Sequence, residues 1–239
     1  MPRTKRIGLL IPSTNTAVEA DFQRLNLPGV SVHGQRLHIP DGVMGEDVLD
    51  RMNQDLDEAI ESLASAHVDA MVYACTSGSF YKGAGWDTDV ITRIERKGLP
   101  AVATSPAVSA ALRHVGGRAI SVVTPYPEWT NRRLRDYFTS EGFNILGVAG
   151  DPSAAAGGHS FINDQDPENI VAFGERHCAP EADVLFCSCT AWRSFEAVPE
   201  LEKRLRRPVI SSNQATVWAA LQAVGFGGHI RNGGRLFAT

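Results

Sequence analysis

VDAMVYACT, residues 68–76, reads as a short strand that leaves a hydrophobic core and ends on a thiol and a hydroxyl, and ADVLFCSCT, residues 182–190, reads the same way. Short apolar runs bounded in this manner are strands buried on both faces, as in parallel sheets covered by helices. The match extends to either side. RIGLLIP, ending at Pro12, is echoed by AISVVTP, ending at Pro125, and LPAVATSPAVSAALRHVG, around Pro100, by RPVISSNQATVWAALQAVG, around Pro208. Three landmarks repeat in the same order at nearly one spacing. The chain is therefore expected to form two similar α/β lobes, residues 1–115 and 116–239, with the last helix free to cross back onto the first lobe. Each lobe is a mainly parallel sheet flanked by helices, the two are related by a pseudo-two-fold axis, and the active site lies between them.

The stretches between these strands fit that architecture. NTAVEADFQRL is a helix opened by Asn15, and VSVHGQRLH is a strand. GEDVLDRMNQDLDEAIESLASA reads as a single helix, with apolar residues at Val48, Met52, Leu56, Ile60 and Leu63. A helix is expected from about Trp86 to Arg96, then the strand PAVATS and the helix AVSAALRHV, stopped by Gly116 and Gly117. Strands alternating with helices imply right-handed βαβ units.

Composition narrows the function. Of 239 residues 43% are hydrophobic and 21% charged, the net charge is −4, and no basic stripe advertises a nucleic-acid surface. No run approaches the ~18 apolar residues of a membrane span, and the segment before Pro12 is too short in apolar residues for a signal-peptide core. A cytoplasmic location is expected, with Cys75, Cys178, Cys187 and Cys189 as thiols. Period-two spacing puts Cys187 and Cys189 on one face, but CSC alone supplies no metal site. No metal and no cofactor are expected.

Ligands of open parallel sheets bind beyond the carboxyl ends of the strands. Cys75 and Cys189 stand at two such ends, each followed by threonine, so a two-fold arrangement would make the thiols face each other. Thr76, Ser77, Thr190 and the backbone N–H that follows it at Ala191 can offer hydrogen bonds to an anion. The ends of the preceding strands add Pro12, Ser13, Thr14, Asn15 and Tyr126. Neutral donors suit a small carboxylate whose charge must be held during reaction. Asn15 is also a natural helix N-cap, and Tyr126 between two prolines is also a natural turn residue. Cys178 and Cys187 have no counterpart in the repeat and read as structural. The histidines fall outside the repeated strand ends. GWDTD, residues 85–89, reads as a helix start with solvated carboxylates, and GFGGHIRNGG, residues 225–234, follows a helix and matches no nucleotide fingerprint.

These residues resemble the aspartate/glutamate racemase superfamily, in the branch containing maleate cis-trans isomerase and arylmalonate decarboxylase. RIGLLIPSTNTAVEADF is similar to the opening of the isomerases, CTSGSFYKGAG to the corresponding loop of the decarboxylases, and CTAWRSFEAVPELEKRL with PVISSN to the second cysteine segment of both. The resemblance implies Cys75 as nucleophile or base, Cys189 as the opposing acid, and Asn15 and Tyr126 as carboxylate binders. Thr76, Ser77, Tyr126 and Thr190 fall where decarboxylases hold a carboxylate and its enediolate. It also implies a homodimer. Decarboxylases of this branch carry glycine at the first cysteine position, whereas both thiols are present here. One departure is Asp151, near the place where the isomerases carry a further carboxylate-binding asparagine; an acidic residue there would repel a second carboxylate and favour an amine or a neutral group.

The resulting expectation is a cofactor-independent isomerase of a small carboxylate or dicarboxylate, most simply maleate-type cis-trans isomerisation through a covalent Cys75 adduct. The alternatives are an Asp/Glu-type racemase, an arylmalonate-type decarboxylase using Cys189, and a carboxylate-binding protein without activity. Each enzymatic route needs a thiolate, and helix N-termini with their N–H donors are expected to lower the cysteine pKa.

Overall fold

The computed structural model describes residues 3–40, 45–83, 85–227, 230 and 233–238, and within α8 below nothing is described of the side chains of 155–160. The chain runs β1 (Lys5–Pro12), α1 (Ala17–Arg24), β2 (Val30–Leu37), α2 (Glu46–Met52), α3 (Leu56–Ala64), β3 (Ala70–Tyr73), α4 (Thr76–Phe80), α5 (Trp86–Glu95), β4 (Ala101–Ala103) and α6 (Thr104–His114). It continues with β5 (Ala119–Thr124), α7 (Glu128–Ser140), β6 (Asn144–Gly150), α8 (Pro152–Asp164), α9 (Pro167–His177), β7 (Val184–Cys187), α10 (Ser194–Leu205), β8 (Val209–Ser211) and α11 (Ser212–Ala223), then a short 3₁₀ turn at Arg235–Phe237.

The strands form two parallel four-stranded sheets of the same order, β2-β1-β3-β4 and β6-β5-β7-β8. The second sheet repeats the first strand for strand. The fold is a two-lobe α/β fold. Period-two alternation sorts each strand between two cores. In β3, Met71 and Tyr73 pack with Val48, Leu56, Ile60 and Ile94 of the helices α2, α3 and α5, while Ala70 and Val72 face a core that both lobes share. That shared core is closed by α6 and α11, which pack on each other. Each also reaches the other lobe's sheet, α11 against β3 and β4, and α6 against β8. The S-x-x-Q box at Ser211 and Gln214 caps α11: the Ser211 hydroxyl accepts from the Gln214 amide at 3.1 Å and the Gln214 side chain accepts from the Ser211 amide at 3.2 Å.

Two element boundaries differ from the sequence reading. The single helix expected over residues 45–66 is broken into α2 and α3 at Asn53. Its side-chain amide donates to the Leu49 carbonyl at 2.8 Å and accepts from the buried Tyr73 hydroxyl at 2.8 Å, so satisfying a buried phenol outweighs continuing the helix. The strand PAVATS stops at Ala103, because Thr104 and Ser105 already form the first turn of α6. Among the described residues no helix is long and apolar enough to cross a membrane.

Candidate active site

The two cysteines follow equivalent central strands. Cys75 is extended (φ −140°, ψ 111°) and starts the short helix α4; its Sγ accepts from the Gly78 amide at 3.2 Å and lies 3.8 Å from the Ser77 hydroxyl. A Cβ on Gly78 would fall 2.4 Å from the Tyr73 hydroxyl and 2.8 Å from Cys75 Sγ, so only glycine lets the turn close over the thiol. Cys189 has a φ of 143°, a backbone value that residues other than glycine rarely adopt. The Tyr126 hydroxyl and the amides of Ala191 and Trp192 lie close enough to favour its thiolate. Burial raises the Tyr126 pKa, the charge of either cysteine raises it further, and Thr76 lowers it. Cys75, Cys189, Tyr126 and Thr76 thus meet in one place, drawn from both lobes.

The thiol electrostatics run against the sequence expectation. Burial pushes Cys75 up to about 11; the Gly78 amide and Ser77 lower it by less, and Cys189 raises it further. Burial likewise raises Cys189, although Tyr126 and two amides oppose the shift. Desolvation of a thiolate costs more than one turn of N–H donors returns. Both cysteines therefore rest as thiols, Cys189 with the larger set of donors ready for its anion.

The surrounding polar groups tie the lobes together. Asn15 caps α1 through its Oδ1, which accepts from the amides of Ala17 and Val18 at 3.0 and 3.2 Å. Its Nδ2 donates across the lobe boundary to the Thr190 hydroxyl at 3.1 Å, so capping and site-building are one role. That hydroxyl donates to the Ala74 carbonyl at 3.1 Å. Ser212 accepts from the Cys189 amide and from the Thr76 hydroxyl, each at 3.0 Å, and the Asn213 side chain donates to the Thr190 carbonyl at 2.9 Å. Ser212 and Asn213 do not stand out from the sequence by residue type. Their signal is their place in PVISSN, at the end of the strand next to that of Cys189. Pro12 is buried at the end of β1 in register with Leu37, and Ser13 accepts from the Ile39 amide at 2.9 Å, which commits its hydroxyl to the β2 side.

Several expectations are corrected. Asp151 is not a bare charge: it caps α8, accepting from the Ser153 amide and hydroxyl at 2.9 and 2.6 Å and from Gln165 at 2.5 Å. Burial works against its charge, but Ser153, Gln165 and the Ala154 amide outweigh it and hold the carboxyl below its usual range. Its carboxylate is therefore held ionised, with the helix N-terminus offsetting part of the charge. Asp87 of GWDTD is buried rather than solvated, and accepts from the Tyr137 hydroxyl at 2.8 Å, joining α5 to α7. The strand ends at Cys187, so the period-two relation does not carry to Cys189; Cys187 is fully buried in the shared core. Among the described residues no group of three metal-ligating side chains is assembled. In the glycine-rich tail, residues 228, 229, 231 and 232 lie outside the described residues.

Comparison with known proteins agrees with the two-lobe fold. The family model for arylmalonate decarboxylase matches residues 7–237. An arylmalonate decarboxylase of Bordetella bronchiseptica is 32% identical, over 98% of this chain and 97% of its own length. A maleate isomerase of Geobacillus stearothermophilus is 22% identical over 100% of this chain and 99% of its own. Among solved structures, a maleate isomerase of Pseudomonas putida S16 with maleate shares the fold, with a TM-score of 0.88 at 24% identity over 98% of this chain and 97% of that one.

Proposed function

The chain belongs to the arylmalonate decarboxylase family, in the branch of the Asp/Glu racemase superfamily that includes the maleate isomerases, and on that premise we propose that it is a cofactor-independent isomerase of a small unsaturated carboxylate. One observation carries this reading: two thiols follow equivalent strands of the two lobes, each close enough to the Tyr126 hydroxyl for its charge to raise that phenol's pKa. Binding alone has no need of paired thiols; chemistry at two neighbouring carbons does.

In the minor fraction of molecules that have lost the Cys75 proton to solvent, the thiolate adds to one carbon of the double bond, forming a C–S bond, and the π pair moves to the adjacent carbon, where the Cys189 thiol supplies a proton. The former double bond is then single and rotates freely, which removes the barrier that holds the cis isomer. Cys189 takes a proton back, the C–S bond breaks, and Cys75 leaves as thiolate from the trans product. The Tyr126 hydroxyl and the second Nδ2 hydrogen of Asn15, with Thr76 and Thr190 turning their hydroxyls away from Ser212 and Ala74, hold the carboxylate, which carries charge while the pair is delocalised.

A decarboxylase is the second reading, supported by the Bordetella relative at 32% identity. There Cys189 would protonate the enediolate left when a malonate loses carbon dioxide. Proton NMR in D2O with maleate, a racemisable amino acid and a phenylmalonate tests both, with Cys75→Ala and Cys189→Ala beside the unmodified protein. Fumarate formation that both substitutions abolish is the expected result, with a succinyl adduct found on Cys75 by mass spectrometry. Carbon dioxide release that survives Cys75→Ala but not Cys189→Ala would establish the decarboxylase instead. Deuterium entering an α-carbon without new product would indicate a racemase, and silence on every substrate a binding protein.

A further inference from the structure

Asp21, on the inner face of α1, is a buried acid whose contacts lead straight to the second cysteine turn without belonging to it. Its side chain is 2% exposed. One oxygen pairs with Arg24 at 3.1 Å and the other accepts from Asn213 Nδ2 at 2.7 Å. The same nitrogen donates to the Thr190 carbonyl at 2.9 Å, so both amide hydrogens are committed. Asn213 is fully buried and its Oδ1 has no partner among the described residues, so the amide is held by its donors alone. From Thr190 the chain runs directly to Cys189, whose own amide is held by Ser212 on the neighbouring position of α11.

We propose that Asp21 is a positioning residue: its carboxylate, acting through Asn213, clamps the Thr190 carbonyl and thereby the strained turn that presents Cys189. The assignment rests on the cysteine site of the proposed function, although nothing in it requires a particular substrate.

The clamp is strongest in the charged form: the ionised carboxylate accepts from Arg24 on Oδ1 and from Asn213 on Oδ2, and a neutral carboxyl is the weaker acceptor for Asn213. Burial raises Asp21 to about 7; Asn213 and Arg24 lower it by less, and Glu196 and Arg193 contribute small opposing effects. Those are the charged groups that face it: Arg24 from its own helix, and Arg193 and Glu196 from the start of α10, paired with each other at 2.7 Å. Asp164, at the end of α8, lines the same surface cavity of about 330 Å³. From α11 only the neutral amide of Asn213 meets it. The turn is therefore gripped above neutral pH and loosened below it.

Thiol alkylation reads this without any substrate. Both cysteines have raised pKa values, so between about pH 6 and about pH 8.5 their rates with iodoacetamide climb in parallel and the Cys189 to Cys75 ratio stays flat unless another group intervenes. Peptide mass spectrometry of the unmodified protein is expected to show that ratio rising about fivefold, the factor carried by one ordinary hydrogen bond, as pH falls through neutrality. In Asp21→Asn, which mimics the neutral acid, the ratio should be constant and equal to the low-pH value. A flat ratio in the unmodified protein overturns the proposal, and so does an inflection that persists in Asp21→Asn. Loss of every catalytic activity with the inflection intact would sink the isomerase reading and leave Asp21 in its role; turnover with a flat ratio would do the reverse.

Discussion

Replacing Cys189 by glycine should leave the protein more stable than replacing it by alanine, the opposite of what these residues usually do. At φ 143° the Cβ of any L-residue crowds its own backbone, at a cost of about 1–3 kcal/mol, whereas glycine sits there freely. Against that, glycine loses more chain entropy on folding, about 0.5–1 kcal/mol. Both variants lack the thiol, and so lose the same interactions with its surroundings, which cancel in the comparison. The net expectation is that Cys189→Gly is more stable than Cys189→Ala by about 1 kcal/mol, within limits of roughly 0–2.5 kcal/mol. Position 75 is the control: its φ of −140° is ordinary extended backbone, so there glycine should be the less stable choice by about 0.5–1 kcal/mol. Urea denaturation of the four variants, with a thermal midpoint difference of a few degrees as the cross-check, decides the matter. Equal ordering at both positions, with alanine the more stable at each, would refute the claim that the second cysteine turn stores strain.

Gly78→Ala should disable the site, because the new methyl would lie 2.4 Å from the Tyr73 hydroxyl and 2.8 Å from Cys75 Sγ; circular dichroism near that of the unmodified chain, with alkylation at Cys75 changed at least about tenfold, is the expected pair of results. Asn15→Ala removes the α1 cap and the bond to Thr190 together, so unfolding free energy should fall by about 1–2 kcal/mol and turnover should fall with it. Because Cys75 is raised to about 11, its thiolate is scarce at neutral pH, and its alkylation rate should rise close to tenfold per pH unit up to about pH 10; a plateau near pH 8 would contradict the burial argument. For Asp21, a folded pKa of about 7 against the ordinary 3.8 means that the folded state binds the extra proton, so the stability it contributes is full below about pH 4 and is lost as pH rises through 7. Asp21→Asn should therefore match the unmodified protein in stability near pH 4 and exceed it by a few kcal/mol near pH 8, as measured by urea unfolding at the two pH values.

The duplication was legible because its carriers are local. Buried parallel strands must be short apolar runs, and proline and Cys-Thr mark their ends, so matching RIGLLIP with AISVVTP and VDAMVYACT with ADVLFCSCT was enough to give two sheets of one topology. The same repeat singled out Cys75, Thr76, Cys189 and Thr190, and spacing alone identified Asn15 as a cap. What the sequence could not decide were competitions settled between segments far apart in the chain. A continuous amphipathic pattern spoke for one helix over residues 45–66, yet the hydroxyl of Tyr73 on β3 drew Asn53 out of it. Donor-rich turns spoke for acidic thiols, yet closure of one lobe on the other removed the water, and desolvation overrode the donors. Asp151 carried no sign in the sequence of the helix end and the Gln165 amide that hold its carboxylate, and nothing in the sequence singled out Asp21 of α1, which α11 of the other lobe covers. Periodicity and punctuation depend on neighbours within a few residues and survive in the sequence; burial, and with it the charge state of every group in the site, depends on what the fold brings to cover them.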